Sequence, residues 1–593
     1  MAIKTAPKTA QKIEWNLKLL YLSGTDPKIE QDIAVYEKAC EVFEKKYKNN
    51  TEYLADESVL LHALQEYEKL FAMVEGRKPV DYFYYRKCLN STDQEAESKL
   101  NQISERLTKA GNNVIFFELN LGKIDKKQQE NISKDKLFSH YKYFLEKLFR
   151  NAQYDLSEPE EKILNLKSMP AHGMWVQGQQ KLLNIQTVKF QGKQMPLPEA
   201  YNKFSELPTN TRRKLSDDAN TILKNISHFA ESELNAVFTD KKINDELRGL
   251  EQPYSATIIG YQNNEKSIIN FVETVTKHFD ISHKFYTTKA KLLGLKKLEY
   301  ADRATPIGKL KIKLTFKDSL ELLRSAFEKV DPKYRTILDS YMENGQIDVF
   351  PKKGKKGGAF CSGDLGMPTY VLLNHADNLG SYKTFAHEMG HAIHTELSKS
   401  QPPIYERYTI SVAEVASTLF ENFAFDEVFP KLSEKEKIIA LHDRINDSIS
   451  TVFRQIACFN YELALHQAVR AQGAVSKEEM AKLHNVHMKA YLGPLFNLKE
   501  LDGYMFVQWP HIRYFFYVYS YAYGELISKA LYAKFKENPE YIKEIEKFLS
   551  AGGSKSPEQI FKDIGIDTSK PEFFIAGLKS IEEDIKELEK LTK

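Results

Sequence analysis

The stretch Phe385-Ala386-His387-Glu388-Met389-Gly390-His391-Ala392-Ile393-His394 restricts this chain more than any other. Its H-E-x-x-H spacing has chemical meaning on a helix, where about 100° per residue brings residues four apart onto one face. On that face His387 and His391 can hold one metal ion. Glu388, directly after the first ligand, can lean toward a water on the same ion. The pattern is short, and a chain of 593 residues with 15 His and 81 Asp+Glu can carry it by chance. The rest of the sequence has to supply the rest of a site.

A third protein ligand is required, because a catalytic zinc takes three and keeps the fourth position for water. The extended pattern H-E-x-x-H-x-x-G-x-x-H fails: His394 stands at the glycine position and Leu397 at the last. A glutamate on a second helix is the other route. Glu396 lies at a poor angle on the same helix, and Glu406 sits in a loop behind Pro402-Pro403. Glu414 lies in Ser411–Asn422, among small and apolar residues, where a carboxylate is costly unless paired or bound to metal. Glu414 is the expected third ligand, on a helix that returns antiparallel to the first. His394 is then a packing or hydrogen-bonding neighbour, since a fourth protein ligand would remove the water. Glu421, two turns past Glu414, reads equally as a partner for a ligand histidine or as an ordinary helix residue.

The frame around this pair of helices is expected to be mostly α. Gly and Pro are sparse (27 and 21), and helical stripes run over Ile29–Tyr47, Glu57–Val74 and Lys136–Arg150. Residues 1–195 read as an N-terminal helical lobe that ends near a small hairpin at Gln186–Gln194. Residues 196–593 read as the catalytic domain. Within it, Gly294–Leu314 reads as strand and loop, followed by helices Ser319–Val330 and Pro332–Asn344. Short strands are expected at Gln346–Phe350, Ala359–Cys361 and Thr369–Leu373, with Ser381 capping the motif helix. The run Lys352–Gly358 reads as a solvated turn, with attraction of substrate as the lesser alternative. An edge of this small sheet could take an extended peptide, with Gly358, Ala359 and Phe360 as contacts.

Composition excludes several classes. A net charge of +3 gives no electrostatic case for nucleic acid or a membrane surface. Four scattered cysteines without C-x-x-C make neither a disulfide framework nor a cysteine zinc site. The N-terminus Met1–Lys8 lacks an apolar stretch behind its basic residues, and no long apolar run follows, so a cytoplasmic location is expected.

The blocks Gly357–Cys361, Tyr370–Asn374 and Phe385–His394 resemble oligoendopeptidase F, the bacterial branch of the thimet oligopeptidase-like metallopeptidases. Ser411–Asn422 is similar to that family's third-ligand helix. The resemblance implies a two-lobed helical fold around a deep central channel, one Zn2+ per chain, and cleavage of short unfolded peptides. It implies attack by a zinc-bound water whose proton Glu388 accepts and passes to the leaving amine. In the segment Trp509–Gly524, His511, Tyr514, Val518 and Tyr521 are expected on one helical face. The family's histidine and tyrosines in that segment stabilise the transition state, which implies Tyr521, then Tyr514 and His511. Tyr517 is a further contact, and core packing of the whole stripe remains the alternative. A carboxypeptidase or dipeptidyl carboxypeptidase would need a fixed cation for the substrate carboxylate, with Arg513 as a candidate. An inactive peptide binder or a metal-free helical scaffold are the readings from other classes. Oligomeric state is not written in the sequence.

Overall fold

The computed structural model describes residues 13–593, so the Met1–Lys8 reading lies outside the described residues. Helices form where sequence provides both an apolar stripe and a start signal. Asp26 accepts from the Lys28 N–H ahead of Pro27–Tyr47, and Asp56 does the same for Glu57–Phe71. Thr315 and Asp318 cap each other at the start of Phe316–Val330. Pro332–Asn344 follows, ending on Gly345 in the left-handed region at φ 74°. Thr209–Leu247, 39 residues and about 58 Å long, is the strut of the carboxy-terminal body.

Two hydrophobic cores lie in the amino-terminal third, one around Phe43, Tyr53 and Phe117, the other around Trp15, Phe83 and Tyr85. The second also takes in Tyr370 and Leu372, so it grips the small sheet beside the motif helix directly. A far larger core fills the remainder from Leu197 to Leu588. Trp175, Val176 and Leu183 pack against this larger core, ahead of the hairpin β1 (Thr187–Phe190) and β2 (Lys193–Pro196). Gly294–Leu314 contains no named strand. It is loop with a single turn of 3-10 helix at Tyr300–Asp302 and one bridge from Leu298 to Phe496, because Asp302 folds back on the Glu299 N–H.

The sheet beside the motif has three short strands, β3 (Ile347–Asp348), β4 (Phe360–Ser362) and β5 (Tyr370–Leu372). Their order is β3-β5-β4, with β5 parallel to β3 and antiparallel to β4, so β4 is an edge strand. The lysine run before β4 is not simply solvated. Lys355 buries its side chain, pairs with Asp348 Oδ1 at 2.7 Å and donates to the Phe350 carbonyl at 2.8 Å. This ties the turn to β3, since a buried ammonium has to satisfy its donors.

The motif helix (Leu379–Ser398) is capped by Asn378, whose side chain accepts the Ser381 N–H at 2.9 Å. Ser381 itself takes the Ala376 N–H at 3.0 Å, so it staples the entry loop rather than the first turn. The glutamate helix (Ile410–Val428) packs across it. Gly390 makes that packing possible: a Cβ there would sit 2.7 Å from Ser417 Cα. The tyrosine helix (Tyr519–Glu537) closes the third side, and a Cβ on Gly524 would sit 2.9 Å from Glu414 Cβ. Small residues at these two crossings bring three helices together around one spot.

Candidate metal centre

Tyr382, Phe385, Ala386, Met389, Ala392 and Ile393 bury one face of the motif helix. That fixes the opposite face, where the rings of His387 and His391 lie 4.9 Å apart. One donor atom each from His387, His391 and Glu414 falls within 4.8 Å of the others. Glu414 Oε2 is 3.6 Å from His387 Nε2 and 4.0 Å from His391 Nε2. A tetrahedral ion with bonds of about 2.1 Å asks for donors about 3.4 Å apart, so this set suits zinc after small side-chain rotations. Two imidazoles and a carboxylate are also the right donor chemistry for it.

The tautomer of His387 is set from behind. Its Nδ1–H donates to Glu421 Oε1 at 2.6 Å, which leaves Nε2 free to bind. Glu421 is in turn held by Lys383 at 3.1 Å, and Lys383 by Asp447 at 2.8 Å. Burial opposes charge on Glu421, but the Lys383 ammonium and the His387 bond outweigh it and hold the carboxyl down at about 2. Burial likewise works against an imidazolium at His387, yet the Glu421 bond and charge lift it to about 9. His391 goes the other way: burial and the His387 charge keep it neutral, well below the ordinary histidine range.

Glu388 is 6% exposed and faces the backbone N–H of Cys361 on the free edge of β4. Burial pushes its carboxyl up to about 7, with Glu414 and Glu421 adding to the rise and His387 opposing it. A carboxyl poised there can exchange a proton near neutral pH.

The other predicted positions separate cleanly. Glu421 is brought to His387, the contact that the partner reading expects. His394 is 1% exposed and stacks on Tyr408 at 3.7 Å, with burial driving its pKa to about 3. It packs against an aromatic ring, not against a donor atom of the cluster. Glu396 accepts from the Tyr341 hydroxyl at 2.7 Å and is not part of the group. Gly358 and Ala359 lead into β4, and the Gly358 carbonyl accepts from Asn374 at 2.7 Å. The Phe360 ring points away, into the aromatic cluster of Trp15 and Tyr84, because alternate residues of a strand face opposite sides.

The segment from Trp509 to Val518 is not a helix, so His511, Tyr514, Val518 and Tyr521 do not share one helical face. Pro510–Arg513 is a short 3-10 turn, and Phe515 and Phe516 then reverse the chain at φ 45° and 57°. The reversal still gathers three of the predicted side chains. His511 Nε2 lies 3.3 Å from the Tyr521 hydroxyl, stacks on Tyr517 at 5.6 Å, and Tyr517 meets Tyr521 edge-on at 5.1 Å. Tyr521 lines the same cavity as His387 and Glu414, about 650 Å³ in volume. Burial, then the hydrogen bond with the Tyr517 hydroxyl and the Glu414 charge, raise the pKa of Tyr521, so it stays a proton donor. Tyr514, by contrast, is 60% exposed. Arg513 is committed elsewhere: it forms a buried pair with Glu233 at 2.7 Å and donates to the Trp509 carbonyl.

Lys383 and Asp447 were not anticipated. Lys383 carried a local signal, one turn before His387 on the same face; Asp447 carried none.

Comparison with known proteins gives the family and the fold. A family model described as Peptidase family M3 matches residues 208–580, and one described as Oligopeptidase F matches residues 120–182. The oligoendopeptidase F homolog of Borreliella burgdorferi is 26% identical over 571 residues, covering 94% of each chain. The oligopeptidase PepF of Bacillus subtilis is 28% identical over 485 residues, covering 79% of this chain and 71% of that one. Among solved structures, a protein from Chlamydophila abortus superposes with a TM-score of 0.84 at 22% identity, over 98% of this chain and 99% of the other. Oligoendopeptidase-F from Enterococcus faecium gives 0.70 at 17% identity, over 95% and 99%. Identities of that order speak to the fold alone.

Proposed function

The chain belongs to peptidase family M3, as a metallo-endopeptidase of the oligoendopeptidase F type, and from that premise we propose a zinc-dependent hydrolysis of short unfolded peptides. The observation that carries the proposal is the convergence of His387, His391 and Glu414 within 4.8 Å, with Glu388 beside them. In this reading His387, His391 and Glu414 would hold one Zn2+ through their imidazoles and carboxylate. When bound, the ion supplies Lewis acidity and draws the pKa of a water toward about 7.

The remaining steps belong to side chains of this protein. Glu388 takes a proton from the attacking water and returns it to the departing amine, a transfer suited to a carboxyl lifted to about 7. Tyr521 and His511 donate to the oxygen that becomes negative, and Tyr517 stacks on His511 to hold its ring. Glu421, fixed by Lys383, keeps His387 in its binding tautomer. An extended peptide lies along the open edge of β4, near Gly358 and Ala359, with main-chain hydrogen bonds that tolerate many sequences. Tyr514 has no role here. We assign residues 1–195 to an N-terminal helical lobe and 196–593 to the catalytic domain. Among the described residues no helix is long and apolar enough to cross a membrane.

A quenched fluorescent peptide tests this directly. The wild type should cleave it, lose activity to a chelator and regain it with Zn2+. Glu388→Gln should retain the metal and lose about 10²–10⁴-fold in kcat. Unchanged cleavage by Glu388→Gln would remove Glu388 from the mechanism.

A further inference from the structure

Two arginines near the site have no carboxylate partner, unlike the buried Arg513–Glu233 pair. Arg303 and Arg454 line a second cavity of about 380 Å³, together with Tyr300, Cys458, His484 and Trp509. No Asp or Glu is among its lining residues. Among the described residues neither guanidinium makes an ion pair. Arg454 Nε and the indole N–H of Trp509 also have no hydrogen-bond acceptor, although Trp509 is only 7% exposed. Around Arg454 stand the Tyr300 hydroxyl, which its guanidinium bonds, the Tyr491 hydroxyl and the Cys458 thiol, with no carboxylate among them. Two cations placed so, with no anion among the groups around them, lack the charge partner that half-buried arginines normally have.

The second cavity adjoins the one lined by His387 and Glu414. Ser205 and Ala304 line both cavities. The helical stretch from Glu434 to Gln472 opens into a wide π turn at Ile449–Arg454, a distortion common at functional sites. Ser448 and Thr451 on this stretch line the cavity of His387 and Glu414, whereas Arg454 and Cys458 line the second one. Trp509-Pro510 leads directly into His511, and the charge of Arg454 reaches that imidazole, where it adds to the effect of burial.

We propose that this second cavity is a carboxylate subsite, in which Arg454 and Arg303, helped by the Trp509 N–H, hold a carboxylate of the peptide being cleaved. The proposal rests on the peptidase reading above. A planar guanidinium fork matches a carboxylate, and a lining without acidic side chains leaves the fork open to one. The carboxylate can come from the peptide's carboxy-terminus or from an acidic side chain.

The test uses the zinc-loaded enzyme and peptides of one sequence that end in a free acid or an amide, each with Glu or Gln near that end. Wild type should favour the carboxylate-bearing peptide in kcat/KM by about tenfold or more. That preference should collapse in Arg454→Met and be only partly kept in Arg454→Lys, which retains the charge without the fork. Loss on amidation assigns the terminal carboxylate, and loss on Glu-to-Gln exchange assigns the side chain. Equal cleavage of all four peptides by wild type overturns the subsite and leaves the peptidase reading standing. Cleavage of none removes the peptidase reading. Calorimetric binding of the same peptides to Glu388→Gln then decides the subsite alone: tighter binding of the carboxylate form supports it, and equal binding overturns it. Should Arg454→Met fail to fold, the wild-type preference and Arg303→Met carry the same decision.

Discussion

The face that carries His387, His391 and Glu414 consists of two regular helices, whereas the face that carries His511, Tyr517 and Tyr521 begins in an irregular reversal. On the first face Gly390 locks the helices together, and Glu421 with Lys383 fixes the His387 ring from behind. On the second, Phe515 and Phe516 sit in the left-handed region, at a cost of about 1–3 kcal/mol each. Remote contacts hold that reversal in place. Glu462, fully buried, accepts the Phe516 N–H at 2.8 Å, and Thr257 donates to the Phe515 carbonyl at 2.8 Å. The metal face is therefore preorganised by local packing, and the tyrosine face by long-range hydrogen bonds. Damage to the first should remove the metal; damage to the second should leave the metal and slow the chemistry.

That separation can be broken at four points. Glu414→Ala should reduce zinc from about one per chain to a small fraction and take cleavage to background, as metal analysis and the peptide assay would read together. Full zinc in that variant would end the three-ligand assignment. Tyr521→Phe should lower kcat by about 10²–10³-fold with zinc unchanged, the loss expected for an oxyanion donor. A rise in KM alone would instead make Tyr521 a binding residue.

Glu421→Gln should weaken zinc binding by about 10–100-fold. Its pH dependence should change as well. A proton on His387 competes with the metal, so in the wild type zinc affinity should climb with pH until about 9, where that imidazole titrates in the metal-free protein. Without the Glu421 charge the climb should end closer to the ordinary histidine value of about 6.5. Competition titrations against a chromophoric chelator over this range would show it. Tyr514→Phe should change kcat/KM by no more than about twofold, because the side chain is exposed and outside the gathered group.

The same contrast explains what could be read from the chain. His387, Glu388 and His391 are legible because their relation is local and periodic. Glu414 is legible because an isolated carboxylate among apolar residues needs a reason. The three strands beside the motif are legible to within a residue or two, since β-branched and aromatic runs mark them, whereas the strand expected within Gly294–Leu314 does not form. The helix start was misplaced from Asn378 to Ser381, because both residue types cap and only the structure shows which one accepts the first N–H. The reversal after His511 was hidden for a physical cause: Tyr514 to Tyr523 contains neither Gly nor Pro, and the turn is enforced by Glu462 and Thr257 from far away in sequence. Asp447, Arg303 and Arg454 share that obscurity, since nothing local ties them to the site.

The central claim is that His387, His391 and Glu414 bind one zinc ion beside Glu388. Anomalous diffraction at the zinc edge from crystals of the purified protein tests it most directly. The account predicts a single strong peak about 2.0–2.2 Å from both Nε2 atoms and a Glu414 oxygen. A peak bound to other residues, or zinc-loaded crystals with no peak at this cluster, would contradict it.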